Sequence, residues 1–367
     1  MHLKQLHLIN YKNLEQAELE FSPGINCFVG ENGAGKTNLL DSIYYLSFCK
    51  SYFSAIDSQN IKHDESFFMM QGIYERHEEE ETIYCGIKRQ QKKQFKRNKK
   101  EYSKLADHIG LLPLVVISPS DEQLIGEGSD QRRKYIDGVV SQYNKSYLEH
   151  LMRYNRALVQ RNALLKKMRE ERISDYSMLE LWDEQLINLG EKIYNQRLAF
   201  IEELVPVFKH YYAFISGGRE VVELQYKSHY KRGEFREQLV ESRDRDIILG
   251  YTTKGIHKDD LELLLGEYSI KKIGSQGQKK TFLIALKLAQ YEFLVQHSGL
   301  KPILLLDDIF DKLDEGRGNR LIQMVAEDKF NQIFITDTRK AHLEEFITAT
   351  GKAYKMFNVT NGAVNPE

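Results

Sequence analysis

The stretch GENGAGKT, Gly30 to Thr37, constrains this chain more than any other. It satisfies the pattern GxxxxGK[ST], in which glycines let the backbone wrap an anion while the N–H groups of a helix start face it. An apolar run, INCFV, leads straight into the loop, and Leu39, Leu40, Ile43, Tyr44 and Leu46 follow it at helical spacing. The loop is therefore expected between a strand and a helix, the context that the phosphate-binding pattern requires. In that setting Gly30, Glu31, Asn32, Gly33, Ala34 and Gly35 form a cradle, Lys36 reaches the β- and γ-phosphates of ATP, and Thr37 offers a hydroxyl to Mg2+.

A second half of such a site stands far downstream. PILLLDD places an apolar run before Asp307 and Asp308, as a buried strand ending in two carboxylates would. Two acids often merely end a strand. Coupled to a phosphate loop, Asp307 becomes a candidate Mg2+ ligand and Asp308 a candidate catalytic group that orients or deprotonates a water. Just before that strand, IGSQGQKKTFLIALKLAQ opens an apolar helix with Ser275 and Gly277. That turn reads either as a routine N-cap or as a second anion site.

The rest of the chain organises around these parts. LKQLHLI, AELEF, FFMMQGIYE, TIYCGIK and LPLVVIS read as strands. In the middle Leu151, Leu158 and Leu165 repeat at heptad spacing with Tyr154 and Met168 between, as do Leu186, Ile193, Phe200 and Val207 beside Trp182 and Leu189. Separated by ERISDYS, they predict two antiparallel helices, each roughly 35 Å long at ~1.5 Å per residue. Pro206 and then Ser216-Gly217-Gly218 are expected to end the pair. A head at 1–122 and 247–367, split by an arm at 123–246, is the expected organisation.

With a formal net charge of −1, 41 % hydrophobic and 29 % charged residues, nothing about the whole chain demands a nucleic-acid partner. Local patches carry that possibility. In KRQQKKQFKRNKKEYSK, the residues Lys92, Lys93, Lys96 and Arg97 are candidate phosphate contacts, against a solvated hairpin that balances Glu78 to Glu81. Arg132 and Arg133 are further candidates, with Arg153, Arg156, Arg161, Lys166, Lys167 and Arg169 on the first arm helix. His257 is expected to make structural hydrogen bonds, and Gln123, Thr336 and Asp337 are weighed as sensors against plain surface or strand-end roles. Cys27, Cys49 and Cys85 lack CxxC spacing and fit packing roles in a reducing cytoplasm. The polar start MHLKQLHLINYKNL is no signal peptide, and LLPLVVI is far short of a membrane span, so a cytoplasmic protein with no membrane partner is expected.

The glycine loop, the long insertion, SQGQ, LLLDD and the following DKLD together resemble the head of ABC-type ATPases of the chromosome-maintenance class. LHLINYKNL, GENGAGKTNLLDSIYYLS, ISPSDEQLIGEGSDQRRKYID and LGYTTKGIHKDDLELLL are in turn similar to segments of the RecF family, so the resemblance spans nearly the whole chain. Ile256 and Lys258 stand where that family usually has Pro and Arg, Gln276 where the signature commonly has Arg, and IFDKLD in place of a Ser-Glu-Leu-Asp form. The resemblance implies an α/β fold, an ABC-type P-loop ATPase head with an inserted helical arm, working as a slow ATPase switch. It further implies that Ser275 and Gly277 complete the ATP site of another copy, giving an ATP-dependent homodimer. That dimer would bind duplex DNA and single-/double-strand junctions, with RecO and RecR as partners in recombinase loading. Rival readings are an ABC-type ATPase subunit acting with a nuclease or membrane partner, and a non-hydrolysing scaffold.

Overall fold

The computed structural model describes every residue except Lys312 and Asp328, so Lys312 of the DKLD stretch lies outside the described residues. The chain divides into two compact units, one made of Met1–Glu122, His210–Arg219 and Ser275–Glu367, the other of Gln123–Lys209 and Glu220–Gly274.

The first unit opens with β1 (His2–Tyr11), β2 (Leu14–Glu20), β3 (Ile25–Val29), α1 (Lys36–Phe48), β4 (Phe67–Arg76), β5 (Glu79–Lys88), β6 (Gln94–Arg97), β7 (Lys100–Glu101) and β8 (Leu114–Ile117). The chain then enters the second unit through α2 (Glu122–Gly126), α3 (Ser129–Tyr143), α4 (Lys145–Glu171), α5 (Ser177–Ser216), β9 (Val222–Lys227), α6 (Phe235–Glu241), α7 (Arg243–Leu249), β10 (Asp260–Leu265), β11 (Tyr268–Ser269) and α8 (Ile270–Ile273). The first unit resumes with α9 (Gln276–Ser298), β12 (Ile303–Asp307), α10 (Glu315–Ala326), β13 (Ile333–Asp337), α11 (Lys340–Thr350), β14 (Tyr354–Thr360) and β15 (Ala363–Pro366).

In the first unit one sheet has the order β15-β14-β3-β13-β12-β8, parallel except for the antiparallel edge strand β15. β3, β8, β12 and β13 are buried along their whole length. Covered on both faces, such strands are unbroken apolar runs rather than alternating ones. The second sheet, β2-β1-β4-β5-β6-β7, is antiparallel, and β4 and β5 alternate buried with more exposed side chains. Leu39, Leu40, Ile43, Tyr45 and Leu46 of α1 join side chains of both sheets in one core. A helix used on several sides needs no sharp polar face, which explains the weak amphipathicity of KTNLLDSIYYLSF.

The register of the parallel sheet positions the site. Asp307 pairs with Thr336, Thr336 with Phe28, and Asp337 with Val29. The end of β3, where the glycine loop begins, therefore lies in line with the carboxylate end of β12. Ligands of open α/β sheets sit at this carboxyl edge.

In the second unit α4 and α5 form an antiparallel hairpin. Arg161 Nε meets Asp183, and the Asn144 and Tyr147 end meets Gln196 and Arg197. Much of the expected seam is there, with Tyr154, Leu165 and Met168 of α4 and Leu186, Ile193 and Phe200 of α5 buried, whereas Leu151 and Leu158 are only half buried and Tyr147 and Arg161 take further buried places. α5 also runs through Pro206 to Ser216 instead of ending near the proline. Pro206 and Glu202 both face solvent, so the carbonyl deprived of an N–H partner is open to water while Leu204 and Phe208 stay in the core. The helix ends at Gly217 and Gly218, both in the left-handed region. The return expected at residue 247 falls instead at Ser275, because β10 pairs with β9 along its whole length and keeps residues 247–274 in the second unit.

Candidate nucleotide site

Two glycines make the loop possible. A Cβ on Gly30 would stand 2.2 Å from the Val359 carbonyl oxygen, and Gly35 adopts φ +121°, where a side chain would also press on Leu14 and Asn13. Glu31, Asn32 and Gly33 are exposed, and Ala34, Gly35 and Lys36 are buried beneath them. Gly35 is the N-cap of α1 and supplies no side-chain acceptor, so the first amides of the helix remain available to an anion. Lys36 Nζ lies over the loop, donating to the carbonyls of Gly30 at 2.8 Å and Glu31 at 3.0 Å.

The structure brings Thr37 and Asp307 together: the hydroxyl is 3.0 Å from each carboxylate oxygen. Thr336 Oγ1 donates to Asp307 Oδ1 at 2.8 Å and accepts from the Asp308 N–H at 3.1 Å. Burial pushes the Asp307 carboxyl up to about 6, with the neighbouring Asp308 charge adding to the rise and the hydroxyl donors opposing it. Asp308 is half-buried in the left-handed region at φ +46°, and burial raises its pKa as well, against the opposing Lys36 charge. Asp337, at the end of the next strand, caps the Arg339 N–H and pairs with His342 Nδ1 at 3.1 Å.

Hydroxyl and carboxylate oxygens in contact are the hard donors Mg2+ prefers, and a buried carboxylate above its ordinary pKa is relieved by a cation. Among the described residues no group of three or more His, Cys, Asp and Glu side chains is placed to hold a metal. Mg2+ commonly takes one or two carboxylates and completes its shell with phosphates and water. The residues present therefore fit the ion.

Ser275 caps α9 in a capping box: its side chain accepts from the Gln278 N–H and the Gln278 side chain accepts from the Ser275 N–H. Ser275 and Gln276 are exposed, with Gly277 half-buried behind them.

The basic candidates separate into two groups. Arg132 forms a two-pronged pair with Asp260, at 2.6 and 3.0 Å, and Arg133 donates to Ser129 Oγ and to the Asp259 carbonyl. Arg161 is fully buried between Asp183 and Asp246. These three guanidinium groups hold the second unit together, which corrects their reading as DNA contacts. Lys93 donates to the Cys49 carbonyl and pairs with Asp57, Arg97 pairs with Glu81, and Lys96 lies 5.4 Å from the centre of the Tyr84 ring. Lys92 is exposed on the hairpin, as are Arg153, Arg156, Lys166, Lys167 and Arg169 on α4 and Gln123 on α2.

Sequence reasoning missed the support behind the loop. Asn13 Nδ2 donates to the Gly33 carbonyl, and Asn13 Oδ1 accepts from Asn38 Nδ2 at 2.7 Å. Asp41 accepts from Tyr11, Lys12, Ser51 and the Tyr52 N–H. The signal was present in INYKN, where two polar residues close an apolar strand, but only the fold sets that turn against α1.

A parallel sheet with a glycine loop at its carboxyl edge and paired carboxylates at the end of the next strand but one defines a P-loop head of the type found in chromosome-maintenance proteins. Residues 2–365 match the family described as RecF/RecN/SMC N terminal domain. The SMC head bound to the C-winged helix domain of ScpA shares the fold, with a TM-score of 0.59 at 15 % identity, covering 100 % of this chain and 97 % of that one. Within that family the chain belongs to the RecF proteins. It is 55 % identical over 366 residues to the DNA replication and repair protein RecF of Bacteroides fragilis, covering 100 % of this chain and 98 % of the relative. The structure of the recombination mediator protein RecF with ATP, from the RecFOR pathway, superposes with a TM-score of 0.89 at 32 % identity, covering 100 % of this chain and 97 % of that one. Among the described residues no helix is long and apolar enough to cross a membrane.

Proposed function

We propose that this chain is an ATP-gated DNA clamp of recombinational repair and replication restart. The observation that carries the reading is the convergence of Lys36, Thr37, Asp307 and Asp308 at one sheet edge, in a fold whose solved relative was determined with ATP. The loop amides and Lys36 grip the β- and γ-phosphates, and Lys36 exchanges its two carbonyl acceptors for phosphate oxygens. Thr37 and Asp307 would hold Mg2+, which when bound would supply positive charge against the phosphates. Asp308 orients the attacking water and accepts its proton, a task that its raised pKa favours.

Ser275 is exposed and Gly277 half-buried at the start of a helix of 23 residues, where they would meet the terminal phosphate of a nucleotide held by a second copy. ATP thus binds the dimer better than the monomer, and occupancy drives association; hydrolysis reverses it. Closure brings exposed cations, Lys92 and the α4 series, onto duplex DNA and single-/double-strand junctions, with RecO and RecR as partners in recombinase loading. Sedimentation with and without ATP tests the core of this reading. Wild type should double in mass with ATP, and Lys36→Ala should not. A strictly monomeric protein that turns over ATP at the full rate overturns it.

A further inference from the structure

In the second unit the segment 250–258, which links α7 to β10, runs back along α4 in the opposite sense. A Cβ on Gly250 would stand 3.2 Å from Lys166 Cγ and from Arg169 Nη1. Further along, the Thr252 N–H donates to Asn162 Oδ1 at 2.8 Å, and the Tyr154 hydroxyl donates to His257 Nδ1 at 2.9 Å. Between Tyr154 and Arg169 the helix rises about 22 Å at ~1.5 Å per residue. The segment is fixed in this course: Asp246 accepts from the N–H and the hydroxyl of Thr253, Arg161 donates to Thr252 Oγ1, and Gly255 takes φ +129°. The Gly255 N–H also donates to His229 Nδ1, which brings the turn after β9, with Lys231 and Arg232, to the Tyr154 end.

Along this line the charge has one sign. Lys166, Arg169, Lys231, Arg232 and Lys258 are exposed and Lys254 is half-buried, and among the described residues none of the six makes an ion pair. The acids that follow in the chain are already taken, Asp259 by Arg197 and Asp260 by Arg132. Two half-buried histidines face the same cations. Burial lowers the pKa of His229 and brings His257 down to about 4, and the charges that add to the fall are Lys254, Arg232 and Lys258 at the first ring and Lys258 and Arg133 at the second. Tyr251 sits in this strip with 43 % of its surface free and the Lys258 ammonium 5.1 Å from its ring centre. Uncompensated cations in a row repel one another, and a polyanion laid along them relieves that repulsion.

We propose that this strip seats the unpaired strand of a single-/double-strand junction, with phosphates on Lys166, Arg169, Lys254 and Lys258 and one base stacked on Tyr251. An open aromatic ring takes the face of a base only from a strand whose bases are free, since a duplex keeps those faces inside its own stack. A flexible single backbone also reaches a half-buried cation such as Lys254, which a stiff duplex passes over. The length of the strip suits about six nucleotides at ~3.4 Å each. Because the segment is already fixed, little ordering is lost when the strand binds. The inference rests on the DNA-binding reading above, and it adds which strand this unit holds and by which residues.

The test is binding of the full-length protein, with and without ATP, to an oligothymidylate of about 20 nucleotides, a gapped duplex and a blunt duplex. Tyr251→Ala should weaken the oligothymidylate about tenfold, and Tyr251→Phe, which keeps the ring, should bind it within about twofold of wild type. Both variants should hold the blunt duplex within about twofold of wild type, and the gapped duplex should follow the oligothymidylate. Replacing Lys254 and Lys258 together by Gln should reduce the slope of log K against log salt on the oligothymidylate by about 1.4, at ~0.7 for each cation. With 5-iododeoxyuridine in the oligothymidylate, ultraviolet light should join the strand to Tyr251 of the wild type, a readout that needs no variant to fold. Equal losses on blunt duplex and single strand, unchanged affinities, or adducts that all lie outside 250–258 overturn the strip and leave the clamp standing. Wild type that binds none of the three DNAs removes the clamp and the strip together.

Discussion

The Thr37 hydroxyl stands 3.0 Å from both carboxylate oxygens of Asp307, although 270 positions separate them in the chain. Thr336 approaches the same carboxylate, and burial holds its pKa at about 6. Above its ordinary value, this group keeps its proton more tightly folded than unfolded. Its stabilising contribution is whole below about 3.8 and is lost as pH rises through about 6. At pH 7.5 the ionised carboxylate therefore costs the ligand-free protein about 3 kcal/mol. Asp307→Asn should raise the melting temperature of the ligand-free protein at pH 7.5, do little at pH 4, and abolish Mg2+-dependent turnover. A melting temperature lowered at pH 7.5 would contradict this account.

Two histidines share one arrangement. His108 Nε2 donates to the Leu46 carbonyl at 2.7 Å and Nδ1 accepts from Tyr102; His257 Nε2 donates to the Thr252 carbonyl at 3.0 Å and Nδ1 accepts from Tyr154. Burial brings both rings down to about 4. Each contributes stability that is whole above about 6.5 and lost as pH falls through about 4, up to about 3 kcal/mol apiece. Unfolding by urea at pH 7.5 and pH 5 should show this slope, and His108→Gln should flatten it. A slope unchanged in that variant would assign the acid sensitivity elsewhere.

These local patterns show what a sequence discloses. GENGAGKT and PILLLDD were legible because each needs only its own residues: glycines at fixed offsets, and an unbroken apolar run ending in acids. The arm hairpin and most of its apolar seam were legible as periodicity, but the charged member of that seam was not. Arg161 occupies a buried position because Asp183 and Asp246 lie across from it, and no spacing within α4 discloses partners 22 and 85 positions away. The β9–β10 pairing, which moved the unit boundary to Ser275, is likewise a matter of register between distant strands. Nothing in SQGQKK singles out Lys280, and only the fold sets it against the Asp308 carbonyl.

Ser275 is exposed and its side chain serves only as an N-cap, so Ser275→Arg should cost about 1 kcal/mol of stability and leave the fold intact. A long cation on this turn occupies the place of the partner's phosphate. The variant should bind ATP as a monomer with unchanged affinity and fail to dimerise. Equal dimerisation by wild type and variant in sedimentation would remove Ser275 from the shared site.

The basic run can be dissected because its members differ in their surroundings. Lys93 donates to the Cys49 carbonyl and pairs with Asp57, so Lys93→Ala removes a partner from half-buried groups and should lower stability by about 1–3 kcal/mol. Lys92 is exposed, and Lys92→Ala should leave the melting temperature within about a degree of wild type. If the hairpin meets duplex DNA, Lys92→Ala should weaken binding across sequences and reduce the slope of log K against log salt by about one. Combining it with Lys96→Ala, whose ammonium rests near the Tyr84 ring, should reduce the slope further. A slope that stays constant in both variants, measured on duplex and gapped DNA, would return this hairpin to a solvated surface and leave the exposed cations of α4 to carry the contact.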